Sequence, residues 1–387
     1  VNTTYRGIEG LRAWLAWTVV ASHIFQGLAV WRFVGAGPVI AAGNQSVFAF
    51  IVISGFVITH LILSRAEPYP AYIGRRFLRL YPVYLVCLLV GMATTALYTD
   101  AVIAQPWGAL SPPIGEFSRQ FASQASHPIA HVLAHLTMFQ GLIPDQVLDN
   151  ANVAFLGPAW SLSLEWQFYL VAPFVVAAAI RPRRALALTL LFLPAYALYW
   201  TGRLGTYGAP WGHPSVLFGA APLFAIGIAT RIVLPGLPAI RHYPVVPVVW
   251  ALGCIVLVYR DALFLGIWLA MVAYMLMQAP ADRVSQVVDR VLHALLDSRI
   301  AIWLGQRSYT TYLIHFPLIQ AIVWACARAR LGYWPSVGVL AVGTVALTLI
   351  ASAVIHRWIE RPGIALGKTL WSRPPRVRSS PTGAAVP

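Results

Sequence analysis

Apolar residues in this chain come in long blocks broken by short polar gaps. A helix that crosses a bilayer needs about 20 consecutive apolar residues. Ten blocks approach that length, at about 11–30, 44–64, 80–99, 158–180, 185–201, 214–234, 244–259, 261–279, 308–327 and 335–356. The seventh and eighth are short and are parted only by Arg260 and Asp261. The pattern predicts an all-α, polytopic integral membrane protein with about ten transmembrane helices. The first block does not read as a cleaved leader: it carries Arg12 and His23, lacks a small-residue cleavage site and is long enough to span.

Other periodicities fill the gaps. In the segment 280–307, Val284, Val287, Val288, Val291, Leu292 and Leu295 share one helical stripe, which predicts an amphipathic surface helix. In the long segment 100–157 the short apolar run Pro128 to Leu142 predicts an interfacial or re-entrant helix. The end of the chain from Ser372 is rich in Pro, Ser and Arg and reads as disordered.

Composition agrees with the blocks. Of 387 residues 59% are hydrophobic and 10% charged, which excludes a soluble globular domain and a disordered chain alike. The net charge of +15 would suit nucleic acid, but the basic residues lie between the apolar blocks, so no nucleic-acid partner is expected. With both termini placed in the cytoplasm, 21 of the 27 Lys and Arg fall in inner segments and six in outer ones. The positive-inside rule therefore favours that orientation. Cys87, Cys254 and Cys326 sit singly in apolar blocks, with neither a disulfide framework nor metal spacing.

Ionisable residues inside a bilayer are costly, roughly 2.5–3.5 kcal/mol near its centre, and they mark candidate sites. Glu165 is the one acid well inside a predicted span, and His23 and His315 are the clearest buried histidines. His60 and His356 lie near span ends, where they can snorkel. Arg12 and His23 are eleven residues apart, which puts both on one face of the first helix, about 16 Å apart. A cation at the mouth and a base deeper in suit an anionic donor entering from the cytoplasm. In Gly74-Arg75-Arg76-Phe77-Leu78-Arg79, helical spacing gathers Arg75, Arg76 and Arg79 on one side, where guanidinium forks bind phosphate. The plainer reading of those arginines is topology and anionic-lipid contact. Ser161, Glu165 and Tyr169 are spaced i, i+4, i+8 and form a polar stripe. A His23–Glu165 pair would orient the imidazole as a general base. Ser54 of Ser54-Gly55 reads more simply as close helix packing than as a nucleophile. His131 and His135 have the i, i+4 spacing of metal ligands, but no glutamate or third ligand accompanies them, so no metal is expected.

Six segments together resemble the acyltransferase family 3 integral-membrane proteins. They are Tyr5 to Ala13 with His23, matching the Arg-x10-His signature; Val47 to Thr59 around Ser54; Arg75 to Pro82; Trp160 to Leu170; Ser308 to Pro317 with His315; and Glu360-Arg361-Pro362. The resemblance covers about residues 5–363. It implies a membrane-bound O-acyltransferase domain over 1–371, followed by a basic cytoplasmic tail at 372–387, in a bacterial inner membrane. The donor co-substrate it implies is acyl-CoA, acetyl-CoA first among them. The acceptor is a hydroxyl of a cell-surface glycan or other sugar-bearing molecule, such as lipopolysaccharide or a macrolide. Residue by residue it implies His23 and Glu165 as catalytic; Arg12, Arg75, Arg76 and Arg79 as donor-binding; and Ser54, Trp160, Ser161, Tyr169 and His315 as substrate-binding. His23 acts either as a base or through an acyl-histidine intermediate. Some relatives append a soluble SGNH hydrolase-like domain, and with about 25 residues after Pro362 the expectation is a standalone form without it. Further partners expected are membrane lipid and, where copies associate, a homo-oligomer. Two other readings compete: a proton-coupled transporter or flippase of a glycan or lipid-linked precursor, against which no inverted repeat is seen, and a non-catalytic scaffold.

Overall fold

The computed structural model describes residues 5, 7–65, 67–112, 114–200, 214–249 and 262–371. Arg6, Arg203, Cys254, Arg260, Asp261, most of the seventh predicted span and the tail 372–387 lie outside the described residues.

Among the described residues the regular structure is helical, apart from one isolated bridge between Ile240 and Met277. The helices are α1 (Ile8–Gly27), α2 (Gly37–Ser64), α3 (Tyr69–Ile103), α4 (Ile114–Ser126), α5 (Pro128–Leu136), α6 (Ala159–Ala179), α7 (Pro182–Trp200), α8 (Leu217–Val233), α9 (Leu263–Leu276), α10 (Arg283–Leu296), α11 (Arg299–Gln306), α12 (Ser308–Arg328), α13 (Tyr333–Ile355) and α14 (Arg361–Leu370). A π-helical turn, His356–Glu360, joins the last two.

Among the described residues, fewer segments than the ten expected meet the length and apolarity of a spanning helix. Six described segments qualify: α2, α3, α6, Leu217–Gly236, α12 and the run Tyr333–Leu370. Nine predicted blocks do coincide with helices, but several are shorter or more polar than a spanning helix. α1 bears Glu9, Arg12, His23 and Gln26; α7 bears Arg183 and Arg184; and α9 has 14 residues.

α3 departs most from expectation. The arginine block, which lies before the predicted span 80–99, belongs to the same continuous 35-residue helix. At 1.5 Å per residue it is about 52 Å long, against a hydrocarbon core of about 30 Å. The helix continues through Pro82, whose missing N–H leaves the Leu78 carbonyl without its helical donor. That carbonyl is covered by α14: a Cβ on Gly363 would lie 2.6 Å from it, so only glycine allows the approach. Tyr309 at the start of α12 donates to the Leu80 carbonyl at 2.8 Å. α12 and α14 thus both dock on α3 beside Arg79.

The core is a bundle of α2, α3, α6, α8 and α12, around Val83, Tyr84, Leu164, Phe168, Phe224 and Leu313. α2 and α8 touch through backbone: a Cβ on Gly55 would lie 2.4 Å from the Phe224 carbonyl. The Ser54-Gly55 step therefore does serve close packing, with the serine left on the adjoining face. A second cluster of Phe56, Trp268 and Tyr274 packs α9 against α1 and α2.

The amphipathic helix is present as α10. Val284, Val287, Val291 and Leu295 are exposed, while Leu292 packs on the second cluster. The run at 128–142 forms α5 and a short 3-10 turn, Gln140–Leu142. Its histidines are buried pins: His135 meets the Tyr84 hydroxyl at 3.0 Å and the Ala151 carbonyl at 3.0 Å, and His131 meets Ser123 at 2.9 Å. His356, expected to snorkel, is instead buried against Glu360 at 2.9 Å.

Candidate active site

A cavity of about 220 Å³ opens among α1, α2, α3, α6 and α12. Its charges come from three helix starts. α1 contributes Glu9 and Arg12, α3 contributes Arg76 and Arg79, and α6 contributes Glu165. Arg12 reaches both carboxylate oxygens of Glu9 at 3.3 Å, an i, i+3 pair on the first turns of α1. Three guanidinium groups against two carboxylates leave the lining with an excess of positive charge.

Arg76 and Arg79 carry that excess. Nε of Arg76 is buried without a hydrogen-bond partner. Among the described residues, neither guanidinium donates to a protein acceptor. The charges that act on Arg79 include those of Glu360, Glu9 and Glu165. Glu360 is 2% exposed, and Thr310 Oγ1 donates to it at 2.8 Å while His356 Nδ1 lies at 2.9 Å. A guanidinium shielded from bulk water and short of acceptors is poised for an anion supplied from outside the chain.

Arg75 goes elsewhere. Its guanidinium is held by Glu67 and donates to the Trp371 carbonyl at 2.7 Å, tying the end of α14 to the start of α3. Helical spacing put all three arginines on one side, but Glu67 and the last turn of α14 capture the first. Trp160 likewise packs in the core cluster and is not part of the cavity lining.

The polar stripe of α6 faces the cavity as its spacing predicts: Ser161, Glu165 and Tyr169 all line it, with Ser54 opposite. Glu165 does not take the expected role beside His23. Its carboxylate accepts from Ser54 Oγ at 3.0 Å and from the Tyr169 hydroxyl. Ser161 Oγ meets the Tyr312 hydroxyl at 2.8 Å, and that hydroxyl also donates to the Pro158 carbonyl at 3.1 Å. The i, i+4, i+8 spacing marked the stripe, whereas Glu9, Ser308, Tyr309 and Tyr312 were not singled out. The Ser-Tyr-x-x-Tyr spacing at 308–312 was the signal for the last three.

His23 and His315 lie beyond the lining, one helical turn past Tyr312 along α12. His23 Nδ1 is 2.8 Å from His315 Nε2, and the rings stack at 5.0 Å. His315 is wholly buried, and its Nδ1 lies 3.0 Å from the Thr311 carbonyl. A carbonyl accepts only, so Nδ1 of His315 carries its proton and a neutral ring has its lone pair on Nε2. His23 then donates from Nδ1, which puts its own lone pair on Nε2. His315, assigned to the substrate from sequence, is thus the residue that sets the tautomer of His23. Among the described residues no cluster of three His, Cys, Asp or Glu could hold a metal ion.

Known proteins resemble this chain over most of its length. Residues 5–353 match the model of acyltransferase family 3, described as an acyltransferase domain, and the chain belongs to that family. Acyltransferase MdmB of Streptomyces mycarofaciens is 24% identical, with 93% of this chain and 91% of that protein covered. A putative O-acetyltransferase of Staphylococcus aureus strain COL is 21% identical over 92% of this chain. The peptidoglycan O-acetyltransferase OatA of Listeria monocytogenes is 24% identical over 92% of it. The chain spans little more than half of these last two proteins, 56% and 55%. No solved structure matches. The chain carries this family's acyltransferase domain, and several of its helices are apolar and of membrane-spanning length.

Proposed function

We propose that this family member moves an acyl group, acetyl in the simplest case, from acyl-CoA to a hydroxyl of a sugar-bearing acceptor. The site lies in the bacterial inner membrane, with both chain termini and the donor on the cytoplasmic side and a surface glycan outside. The observation that carries the reading is the pair Arg76 and Arg79, unpaired by protein acceptors and joined by Arg12 in one cavity. These groups bind the donor's phosphates, and Arg75 stays out of that role. Glu165, fixed by Ser54 and Tyr169, keeps the arginines from repelling one another when the donor is absent.

The pantetheine arm runs from the arginines past Ser161 and Tyr312 and presents the thioester to the imidazole pair. His23 Nε2 takes the acceptor's hydroxyl proton while the oxygen bonds to the thioester carbon. The C–S bond breaks, its electron pair goes to sulfur, and the proton passes from His23 to the CoA thiolate. General-base help of this kind contributes roughly 10²–10⁴-fold. The acceptor reaches the site from the 104–158 side, where α6 begins.

The test is transfer of labelled acetyl from acetyl-CoA to a glycan or macrolide by the purified protein in lipid nanodiscs. Ester formation that disappears in His23→Ala at normal protein yield supports the reading. Wild-type turnover by His23→Ala removes the base assignment, and solute movement without ester formation favours a carrier.

A further inference from the structure

The cavity that holds the arginines and the pair of imidazoles are close but not continuous. Tyr312 is the lining residue whose ring neighbours that of His315. Tyr312 lines the cavity, and its hydroxyl bridges to Ser161 Oγ at 2.8 Å and to the Pro158 carbonyl at 3.1 Å. Its ring lies 6.3 Å from that of His315 on one side and 6.1 Å from that of Phe50 on the other. His315 sits three residues further along the same helix, so Tyr312 stands directly over it on the path from the arginines.

We infer that Tyr312, latched to Ser161, is a specificity-determining residue of the transfer: it decides which acyl groups, and how much water, reach the imidazole pair. The inference rests on the donor path given above. The bond spans α6 and α12, so its breaking needs no unfolding, only a swing of the tyrosine toward the cavity. A pantetheine arm carries two amides, whose N–H and C=O groups replace the bonds that Ser161 and Tyr312 give up. Water replaces them too, but it does not fill the space the ring vacates. The latch therefore parts for a thioester donor and stays parted while the pantetheine arm lies in the gap. A short acyl group passes beside the displaced ring, whereas a long one collides with it. Hydrolysis needs a water oxygen to bond to the thioester carbon as the C–S bond breaks, with its proton going to His23, and the arm and the displaced ring together fill the gap against that water.

Two readouts test this, and they fail independently. The first uses no donor. Diethyl pyrocarbonate acylates neutral imidazole, and its reaction with His315, read by peptide mass, reports opening because that ring is wholly buried. Tyr312→Phe removes both bonds of the hydroxyl, Ser161→Ala removes the shorter one and leaves that to Pro158, and both keep the core volume. His315 should react roughly tenfold faster in both, the change expected when one neutral hydrogen bond no longer holds the closed state. Tyr333→Phe is the control, since it removes a buried bond of 2.8 Å to the Leu28 carbonyl elsewhere and should change nothing. Equal rates in wild type and both latch variants overturn the inference. The second readout uses acyl-CoA. Tyr312→Phe should hydrolyse acetyl-CoA faster without acceptor, and Tyr312→Ala should raise the butyryl-to-acetyl transfer ratio roughly tenfold. Faster labelling of His315 with unchanged acyl preference sustains the latch and removes the donor path instead.

Discussion

His23 on α1 and His315 on α12, 292 residues apart in the chain, meet through Nδ1 and Nε2 at 2.8 Å. The bond has a direction, because His315 is itself held by the Thr311 carbonyl of its own helix at 3.0 Å. A backbone carbonyl thereby sets the protonation pattern of both rings. The imidazole proposed as base is thus positioned by a second imidazole.

If that is so, His315→Ala should lower kcat roughly 100-fold with little change in the KM for acetyl-CoA, since it acts on the base and not on the arginines. His315→Gln, whose amide oxygen can accept from His23, should restore part of the loss. Steady-state kinetics in nanodiscs check both. A change confined to KM would place His315 in donor binding.

The three neighbouring arginines should separate. Charge-assisted hydrogen bonds contribute about 1.5–3 kcal/mol each, so Arg76→Ala or Arg79→Ala should weaken CoA binding roughly 10- to 100-fold. Arg75→Ala should leave CoA affinity alone and loosen the end of α14, which it ties through Trp371. Calorimetric titration with CoA, together with hydrogen exchange over 361–371, distinguishes the two effects. Equal losses of affinity at all three positions would contradict the geometry.

Glu360→Ala should be among the most destabilising single changes. It removes the acceptor of Thr310 and His356 and one of the negative charges acting on the buried Arg79. Breaking a buried charged cluster from one side costs about 3–5 kcal/mol. Thermal unfolding in detergent should show a clearly lower midpoint for Glu360→Ala than for Thr310→Val, which spares the carboxylate.

The loop at 128–157 should be acid-labile. Burial pushes His135 down from 6.5 to about 3, partly opposed by its bond to the Ala151 carbonyl. The folded protein therefore holds a neutral ring where the unfolded chain binds a proton. Stability from this site is complete above pH 6.5 and falls as pH drops from there toward 3. The protection factors of amides in 128–157, after division by the intrinsic exchange rate at each pH, should fall between pH 7.5 and pH 5 in the wild type, and less so in His135→Gln. Identical pH dependence in the two proteins would count against the assignment.

Much was legible in the chain because helical periodicity is local. Block length predicted the helices, and spacing alone put Ser161, Glu165 and Tyr169 on one face and Arg12 in line with His23. The apolar–polar stripe at 284–295 gave the surface helix in the same way. Where each helix begins and ends was less legible, since a block of hydrophobic residues does not say how much of it ends in a polar turn or a short helix.

Partners were the other half. Which side of a helix a residue occupies follows from its neighbours in sequence, but what it meets follows from how helices cross. Here the crossings are set by contacts that no local pattern encodes: Gly55 against the Phe224 carbonyl, and Gly363 against the carbonyl that Pro82 leaves open. The crossings bring His315 to His23, send Glu165 to Ser54, draw Arg75 to Glu67 and Trp371, and place Glu360 near Arg79. The sequence by itself determined a helical membrane chain and a set of polar residues facing inward. Only the tertiary structure decided which of them share a cavity and which share a proton, because those choices depend on distances between residues hundreds of positions apart.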